Sequence, residues 1–212
     1  LYPDYSFVSR YNLAEIYYEY LNRPKESLEL LEFALTLTGP SRFFPFLYDL
    51  LHRTYRYFSN DARAVHYAQK VLSLPSQNHL RRRAYYTLAL SHAGKGNKDK
   101  ALEEISSAGK LSNAPDEKVL TSCIEAIVFF IAGESKIAYE KAKMAINISG
   151  LPDEYEKALG IFTMAQSLCD EKAFAEAKAL FKEFLLISGK TQKKDIFVNR
   201  NIDYAKKILL RR

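Results

Sequence analysis

The chain has 212 residues, of which 48% are hydrophobic and 26% are charged, and its formal net charge is +6. With only 8 Gly and 7 Pro, this composition argues against a disordered chain and against an all-β fold. No run of about 18 apolar residues free of charge occurs, which argues against a transmembrane helix. The most apolar segment, residues 124–132, contains Glu125 and is interpreted as a buried helix.

The positive charge is concentrated at the end of the chain. Residues 190–212 contain eight Lys or Arg residues and two Asp residues, so they carry the whole excess of six charges. The rest of the chain is neutral, although Arg81-Arg82-Arg83 forms a short basic run. Because phosphate binding needs a contiguous basic surface, we expect no nucleic acid to bind this region. Attachment of the tail to a membrane is disfavoured by Asp195, Asn201 and Asp203 within it.

Taken from its first residue to its last, the sequence predicts helices of ten to twenty residues separated by short breaks. Each break is rich in Gly, Pro, Asn or another residue that ends or starts a helix. The breaks lie at Asn22-Arg23-Pro24, Gly39-Pro40, Asn60-Asp61, Leu74-Pro75, Gly94-Lys95-Gly96-Asn97, Pro115, Gly133-Glu134, Gly150-Leu151-Pro152, Lys172-Ala173 and Ser188-Gly189.

Small residues recur through the predicted helices at a fixed interval. Ala101 is repeated as Ala64, as Ala138 and, more weakly, as Ser27, each time after 37 residues. The next step, from Ala138 to Ala177, is 39 residues. A period in this range is typical of a helical solenoid, in which each repeat is one pair of helices.

The fold that we predict is all-α. It is a right-handed superhelical solenoid of about five antiparallel helix pairs, followed by a C-terminal capping helix. Residues 1–189 form the repeat domain in this prediction, and residues 190–212 form the basic cap. Ile196, Ile202 and Ile208 would be the apolar side with which the cap covers the last repeat.

These helix pairs resemble tetratricopeptide repeats (TPRs). Two repeats carry the resemblance best, with large and small residues in the order that the family uses on its two helices and a Pro that closes the unit. The third repeat departs at His92 and the first at Ser27. The matching residues are Tyr85, Leu88, Ala89, Gly96, Ala101, Ile105, Ala108 and Pro115 in the third repeat, and Tyr11, Ala14, Tyr18, Leu31, Ala34 and Pro40 in the first.

The resemblance implies a protein- or peptide-binding scaffold whose concave groove is lined by the first helix of each pair. Family members that grip a terminal carboxylate use Lys and Asn in this groove, and only Asn12 matches, so we do not expect capture of that kind. The groove residues implied by the resemblance are Asn12, Ile16, Glu19, Asp49, Arg53, Arg56, Tyr86, Leu90, Ala93, Cys123, Ile127, Phe130, Phe162, Gln166 and Cys169, with Arg83 beside them.

Two interpretations of these groove residues remain open. Arg53, Arg56 and Arg83 could bind a carboxylate or the backbone carbonyls of a peptide. Alternatively, they pair with Asp49 and nearby acids on a solvated surface. The apolar groove positions in the fourth repeat could equally be core, with a terminal helix folded over them.

The remaining residues that could support catalysis do not form a recognisable site. His52, His66, His79 and His92 fit no metal-ligand spacing, and Gly94-Lys95-Gly96 lacks the rest of a phosphate-binding loop. His52 and His92 occupy packing positions of the repeat. Cys123 and Cys169 are too far apart for a disulfide in this register, which suggests a reducing compartment. We therefore expect neither an enzyme nor a metal or cofactor site.

The function that we expect is non-enzymatic binding of a protein or peptide in the groove. The alternative is a ligand- or peptide-sensing domain of a larger regulator, such as a bacterial transcription factor. A second copy of the chain, bound through terminal repeats, is a further partner to test. Because the chain begins at Leu1, we expect a trimmed or processed product. The expected location is cytoplasmic, or periplasmic if a signal or lipid anchor precedes Leu1.

Overall fold

A computed structural model of the protein describes residues 3–37, 39–147, 154–190 and 196–210. Within these ranges the regular structure is helical, and the predicted break at Gly150-Leu151-Pro152 lies outside them. None of the helices there has the length and apolar character that a bilayer span requires. A short 3-10 turn, Ser41–Phe43, precedes the third helix. The helices are α1 Pro3–Glu19, α2 Pro24–Ala34, α3 Phe44–Tyr57, α4 Asp61–Ser73, α5 Asn78–Gly94, α6 Lys98–Gly109, α7 Pro115–Ile131, α8 Ser135–Ile146, α9 Glu154–Asp170, α10 Phe174–Ser188 and α11 Ile196–Leu210.

One residue in the turn of each helix pair has a left-handed backbone conformation. In the described part of the chain five residues have positive φ, and they lie 37, 37, 37 and 39 residues apart, so the turn follows the same period as the small residues. Gly usually occupies such positions, but three of the five are held by residues with a side chain. In each pair the left-handed residue ends the first helix. The five residues are Asn22, Ser59, Gly96, Gly133 and Lys172.

The second helix of two pairs starts with the same cap. The side chain of Asn60 accepts a hydrogen bond from the backbone N–H of Arg63 at 3.2 Å. Asn97, 37 residues later, accepts one from Lys100 at the same distance. Each cap satisfies a backbone donor that the first turn of the helix leaves open.

The periodic small residues are all buried. Ser27, Ala64, Ala101, Ala138 and Ala177 have no exposed surface, although they lie on five different helices. A larger side chain there would collide with a neighbouring helix, since close-packed interiors leave little empty volume. The prediction of five antiparallel helix pairs followed by a final helix is confirmed.

The first of two compact units is built from residues up to Leu88. In it, α1 packs on α2, α2 on α3 and α3 on α4. Phe7 is buried among Phe43 and Phe44, with ring centroids 6.5 and 5.7 Å apart. A Cβ on Gly39 would lie 2.5 Å from the ring of Phe7, so this glycine allows the loop after α2 to approach the core.

The second unit begins at Ala89, within α5. Here α7 packs on α8, α8 on α9 and α9 on α10. Its core includes Phe162, Phe181 and Phe184, and Ala205 of α11 belongs to the same cluster. A Cβ on Gly160 would lie 2.4 Å from Cγ2 of Ile146, so α9 approaches α8 closely at this point.

Replacing Ala101 by leucine is expected to destabilise the second unit by about 2 kcal/mol, because three added carbon atoms overpack a fully buried site. Urea denaturation followed by circular dichroism measures the change. Ala175→Leu is the matched control, since Ala175 is exposed on α10. Equal stability of Ala101→Leu and the control would contradict the role of the periodic alanine.

Candidate functional site

A buried carboxylate, Asp49 on α3, is the centre of a charged cluster in the first unit. The residue is only 4% exposed. His52 and Arg53 follow it by three and four positions on the same helix, which places their side chains beside the carboxylate. The remaining members come from α1 and from the part of α5 before residue 88. The cluster therefore joins three first helices of the repeat.

The histidine of this cluster is fully buried between α3 and α5. Nε2 of His52 lies 3.2 Å from Oδ1 of Asp49, at ion-pair distance but without hydrogen-bond geometry. Its Nδ1 lies 3.1 Å from Oγ1 of Thr87. The tautomer that fits both contacts has its proton on Nε2, so that the Thr87 hydroxyl donates to Nδ1. The expected packing role of His52 is confirmed.

Arg53 links the carboxylates of two helices. One terminal nitrogen lies 2.6 Å from Oε1 of Glu19 on α1, and the other lies 3.6 Å from Oδ2 of Asp49. Its guanidinium also stacks over the ring of Tyr18, 4.8 Å from the centroid. With both ends engaged and 17% of the side chain exposed, Arg53 mainly holds the cluster together.

Arg83 on α5 is more exposed than Arg53. Its side chain is 44% exposed although it is ion-paired. Nη1 donates to Oδ2 of Asp49 at 3.1 Å, which orients the guanidinium at the surface. The neighbouring Arg82 is buried, so the three consecutive arginines do not form a continuous basic patch. Of the two open interpretations, the pairing of Arg53 and Arg83 with Asp49 is the one seen here, although the carboxylate is buried and does not lie on a solvated surface.

The protonation states in the cluster follow from burial and charge. Burial raises the pKa of Asp49, but the contact with His52 and the charges of Arg83 and Arg53 outweigh it, so the pKa lies below its usual range. Burial lowers the pKa of His52 more than Asp49 raises it. At neutral pH the carboxylate is therefore charged and the imidazole neutral.

Two predicted groove residues on α1 are exposed beside this cluster. Asn12 and Ile16 both face solvent, and the side chain of Ile16 is 44% exposed. Tyr20, one turn beyond Ile16, is 73% exposed. Arg56 on α3 is half-buried. An apolar strip thus runs along the end of α1 next to the charged groups.

Besides Asp49, four of the predicted groove residues are buried, so as placed they offer no surface to a partner. Tyr86, Ala93, Cys123 and Phe162 are each less than 8% exposed. The ring of Phe162 packs against Phe184 at 5.1 Å and against Tyr204 of α11 at 5.9 Å, so the final helix helps to cover it. Phe162, in the fifth repeat, is therefore a core residue, and in the fourth repeat the core interpretation holds for Cys123, which is fully buried.

Cys123 is shielded by α9, where its Sγ lies 3.6 Å from the carbonyl oxygen of Glu156. Burial raises the pKa of its thiol to about 12, so it stays protonated at neutral pH. Both cysteines are free, which confirms the prediction that they do not form a disulfide. The other predicted groove residues of the second unit are half-buried, namely Leu90, Ile127, Phe130, Gln166 and Cys169.

Sequence reasoning missed the role of Tyr18 and Thr87 in the charged cluster. The repeat pattern marks Tyr18 only as a large packing residue, whereas its ring lies under Arg53. Thr87 occupies the repeat position of Leu50, 37 residues earlier, so a polar residue at a core position was the available signal. A buried hydroxyl requires a hydrogen-bond partner, and His52 supplies it.

No protein-family model matches the chain, and no curated protein matches it either. Several solved structures have a similar fold. TTC0263, a thermophilic TPR protein of Thermus thermophilus, is 18% identical, with a TM-score of 0.64 over 95% of this chain and 99% of that one. The apo form of RapI is 15% identical, with a TM-score of 0.63 over 95% of this chain and 74% of that one.

The third comparison is with the TPR-like repeats, nearly identical to one another, of a kinesin light chain from Podosopora anserina. That structure is 22% identical to this chain, with a TM-score of 0.56 over 89% of this chain and 98% of that one. At these identities the likeness concerns the fold alone. It agrees with the helix pairs, the repeated turn and the buried small residues described above. The chain therefore has the tetratricopeptide-like repeat fold.

Proposed function

We propose that the chain is a non-enzymatic scaffold that binds a protein or peptide partner on the first-helix surface of its first unit. This surface comprises the apolar strip of Ile16 and Tyr20 and the charged cluster around Asp49. The observation that carries the proposal is Arg83, an arginine held by a buried carboxylate and yet 44% exposed. A guanidinium oriented in this way is suited to a second carboxylate, because less side-chain entropy is lost on binding.

The charges of the cluster favour an anionic group. Glu19 and Asp49 supply two negative charges. Arg53, Arg83 and Arg56, whose charge helps to lower the pKa of His52, supply three positive ones, while the histidine is neutral. Arg83 uses one terminal nitrogen for Asp49, and its other donors have no ion-pair partner among the described residues. An Asp, Glu or terminal carboxylate of a partner could accept from these donors.

The apolar strip would supply the second half of the interaction. Ile16 and Tyr20 lie one turn apart at the end of α1 and are 44% and 73% exposed. An apolar side chain next to the anionic group would bury them, at about 25 cal/mol per Å² of apolar surface. The proposed ligand is therefore an extended segment that presents a carboxylate and a neighbouring apolar residue.

Replacing Arg83 by glutamine is expected to weaken binding by about 1.5–3 kcal/mol, or roughly 10- to 150-fold in Kd, because a charge-assisted hydrogen bond is lost. The ligands would be peptides selected on the wild-type protein from a displayed random library with free carboxyl termini. Fluorescence anisotropy with the resynthesised peptides measures each Kd. Lys25→Gln, an exposed charge removed from α2, is the control and should bind as the wild type does.

Two results would contradict the proposal. Selected peptides could lack carboxylates at any common position, or they could bind Arg83→Gln and the wild type equally well. The alternative function, a sensing domain of a larger regulator, would use the same surface and predicts the same loss. The peptide experiment therefore tests the surface, and the sequence of the full-length protein distinguishes the two functions.

A further inference from the structure

A second surface lies on the outer side of the first helix pair and is separate from the charged cluster. It is a groove of about 460 Å³ between α1 and α2. Leu13 and Phe33, on opposite walls, are 41% and 49% exposed. The groove is lined by Arg10, Leu13 and Tyr17 of α1 and by Glu26, Glu29, Leu30 and Phe33 of α2.

The repeat period shows what kind of surface this is. The residues of α1 in the groove, at positions 10, 13 and 17, have counterparts 37, 74 and 111 residues later, and all nine counterparts are at most 8% exposed. Two of the helices that carry these counterparts are α3 and α7. The second helix of the preceding pair packs on each of them, α2 on α3 and α6 on α7. The nine counterparts are Leu47, Leu50, Thr54, Ala84, Thr87, Ser91, Thr121, Ile124 and Val128.

The groove is therefore a stacking surface, and in the described part of the chain no helix covers it. A surface of this kind that exposes Leu13 and Phe33 gains free energy when another helical surface buries it.

The charges identify the occupant. Arg10, on the α1 wall, donates to the carbonyl oxygen of Ser6 at 3.0 Å and stacks over the ring of Phe33 at 4.6 Å. Glu29, on the α2 wall, is exposed and has no ion-pair partner within the described ranges. Glu26, the other acid that lines the groove, is already paired with Arg23 at 2.6 Å, so the groove offers a partner one positive group from α1 and one negative group from α2. A surface with opposite charges on its two halves is complementary to itself under a two-fold rotation.

We infer that this groove binds the same groove of a second copy of the chain. In the resulting two-fold dimer, Leu13 and Phe33 of both copies form the apolar centre. Arg10 of each copy lies opposite Glu29 of the other. The inference does not depend on the proposed function, because it concerns another surface and needs no ligand.

Sedimentation velocity of the purified full chain tests the dimer across roughly 1–100 µM, the range in which interfaces of modest size associate. The wild type should pass from monomer to dimer in this range. Leu13→Glu and Phe33→Glu should each remain monomeric. Met144→Glu, which changes a 70% exposed residue on α8, should dimerise as the wild type does. Circular dichroism confirms that each variant is folded.

A charge-swap experiment tests the pairing itself with substitutions of surface residues. Arg10→Glu and Glu29→Arg should each weaken self-association at least tenfold, because like charges then face one another. An equimolar mixture of the two variants should dimerise again, since the glutamate introduced in one variant then meets the arginine introduced in the other.

Three results would overturn the inference. The wild type could be monomeric throughout the range. The dimer could persist in both Leu13→Glu and Phe33→Glu. The mixture of the two charge variants could also associate no better than each variant alone. Any of these would assign the groove to a different helical partner or to none.

Discussion

Replacing Phe181 by alanine is expected to lower the free energy of unfolding by about 3–5 kcal/mol, the largest stability change that we predict. The side chain is fully buried on α10. Its ring packs edge-on against Phe162 of α9 at 5.8 Å and against Tyr204 of α11 at 6.0 Å. Truncation would leave a cavity where three helices meet. Urea denaturation followed by circular dichroism measures the loss.

The matched control is Phe174→Ala on the same helix. Phe174 is 56% exposed, so its removal should change stability by no more than about 0.5 kcal/mol. The same chemical change is thus made at a buried and at an exposed position. If both variants lost equal stability, the aromatic cluster would not be the core of the second unit.

The assignment of residues 190–212 as a cap remains a proposal, and the contact of Tyr204 with Phe181 supports it.

Replacing Asp49 by alanine is expected to destabilise the first unit by about 3 kcal/mol. This is the lower end of the range for removing one member of a buried ion pair, because Arg83 is partly exposed and can turn towards solvent. His52 cannot, since it is fully buried. Its Nε2 would then face no acceptor. Denaturation in urea at pH 7 measures the change.

The pH dependence supplies the internal control for this variant. The pKa of Asp49 is depressed in the folded protein, so its stabilising effect is complete above its unfolded pKa of about 4 and is lost as the pH falls further. The difference between the wild type and Asp49→Ala should therefore shrink steadily below about pH 4. A difference that stayed constant down to about pH 2 would show that packing, and not charge, explains the loss.

The cluster around Asp49 couples stability to binding in the proposed function. Asp49 holds Arg83 at 3.1 Å and contacts Arg53 at 3.6 Å. Arg83→Gln removes the exposed donor and keeps the buried groups in place, so it should weaken peptide binding more than it changes stability. Asp49→Ala should affect both, because Arg83 loses the group that orients it.

Most of the fold was predictable from the sequence because repeat packing imposes a strict local rule. Two helices that cross closely admit only a small residue at the crossing, so Ala64, Ala101 and Ala138 recur every 37 residues and are all buried. The turns at Gly96 and Gly133 were predictable because Gly readily adopts the left-handed conformation that ends a helix. At Ser59 and Lys172 the same left-handed conformation occurs without Gly, and composition alone did not indicate it.

The site was less predictable, because burial depends on what packs against a position from elsewhere in the chain. Phe162 and Ile16 both correspond to groove positions, yet Phe162 is covered by α10 and α11 whereas Ile16 is exposed. The helix pairs, their period and the residues that could line a groove were predictable from the order of residues alone. Tertiary packing brings Glu19 of α1 to Arg53 and Thr87 of α5 to His52, and these contacts were not predictable because residues on separate helices meet only when the helices pack.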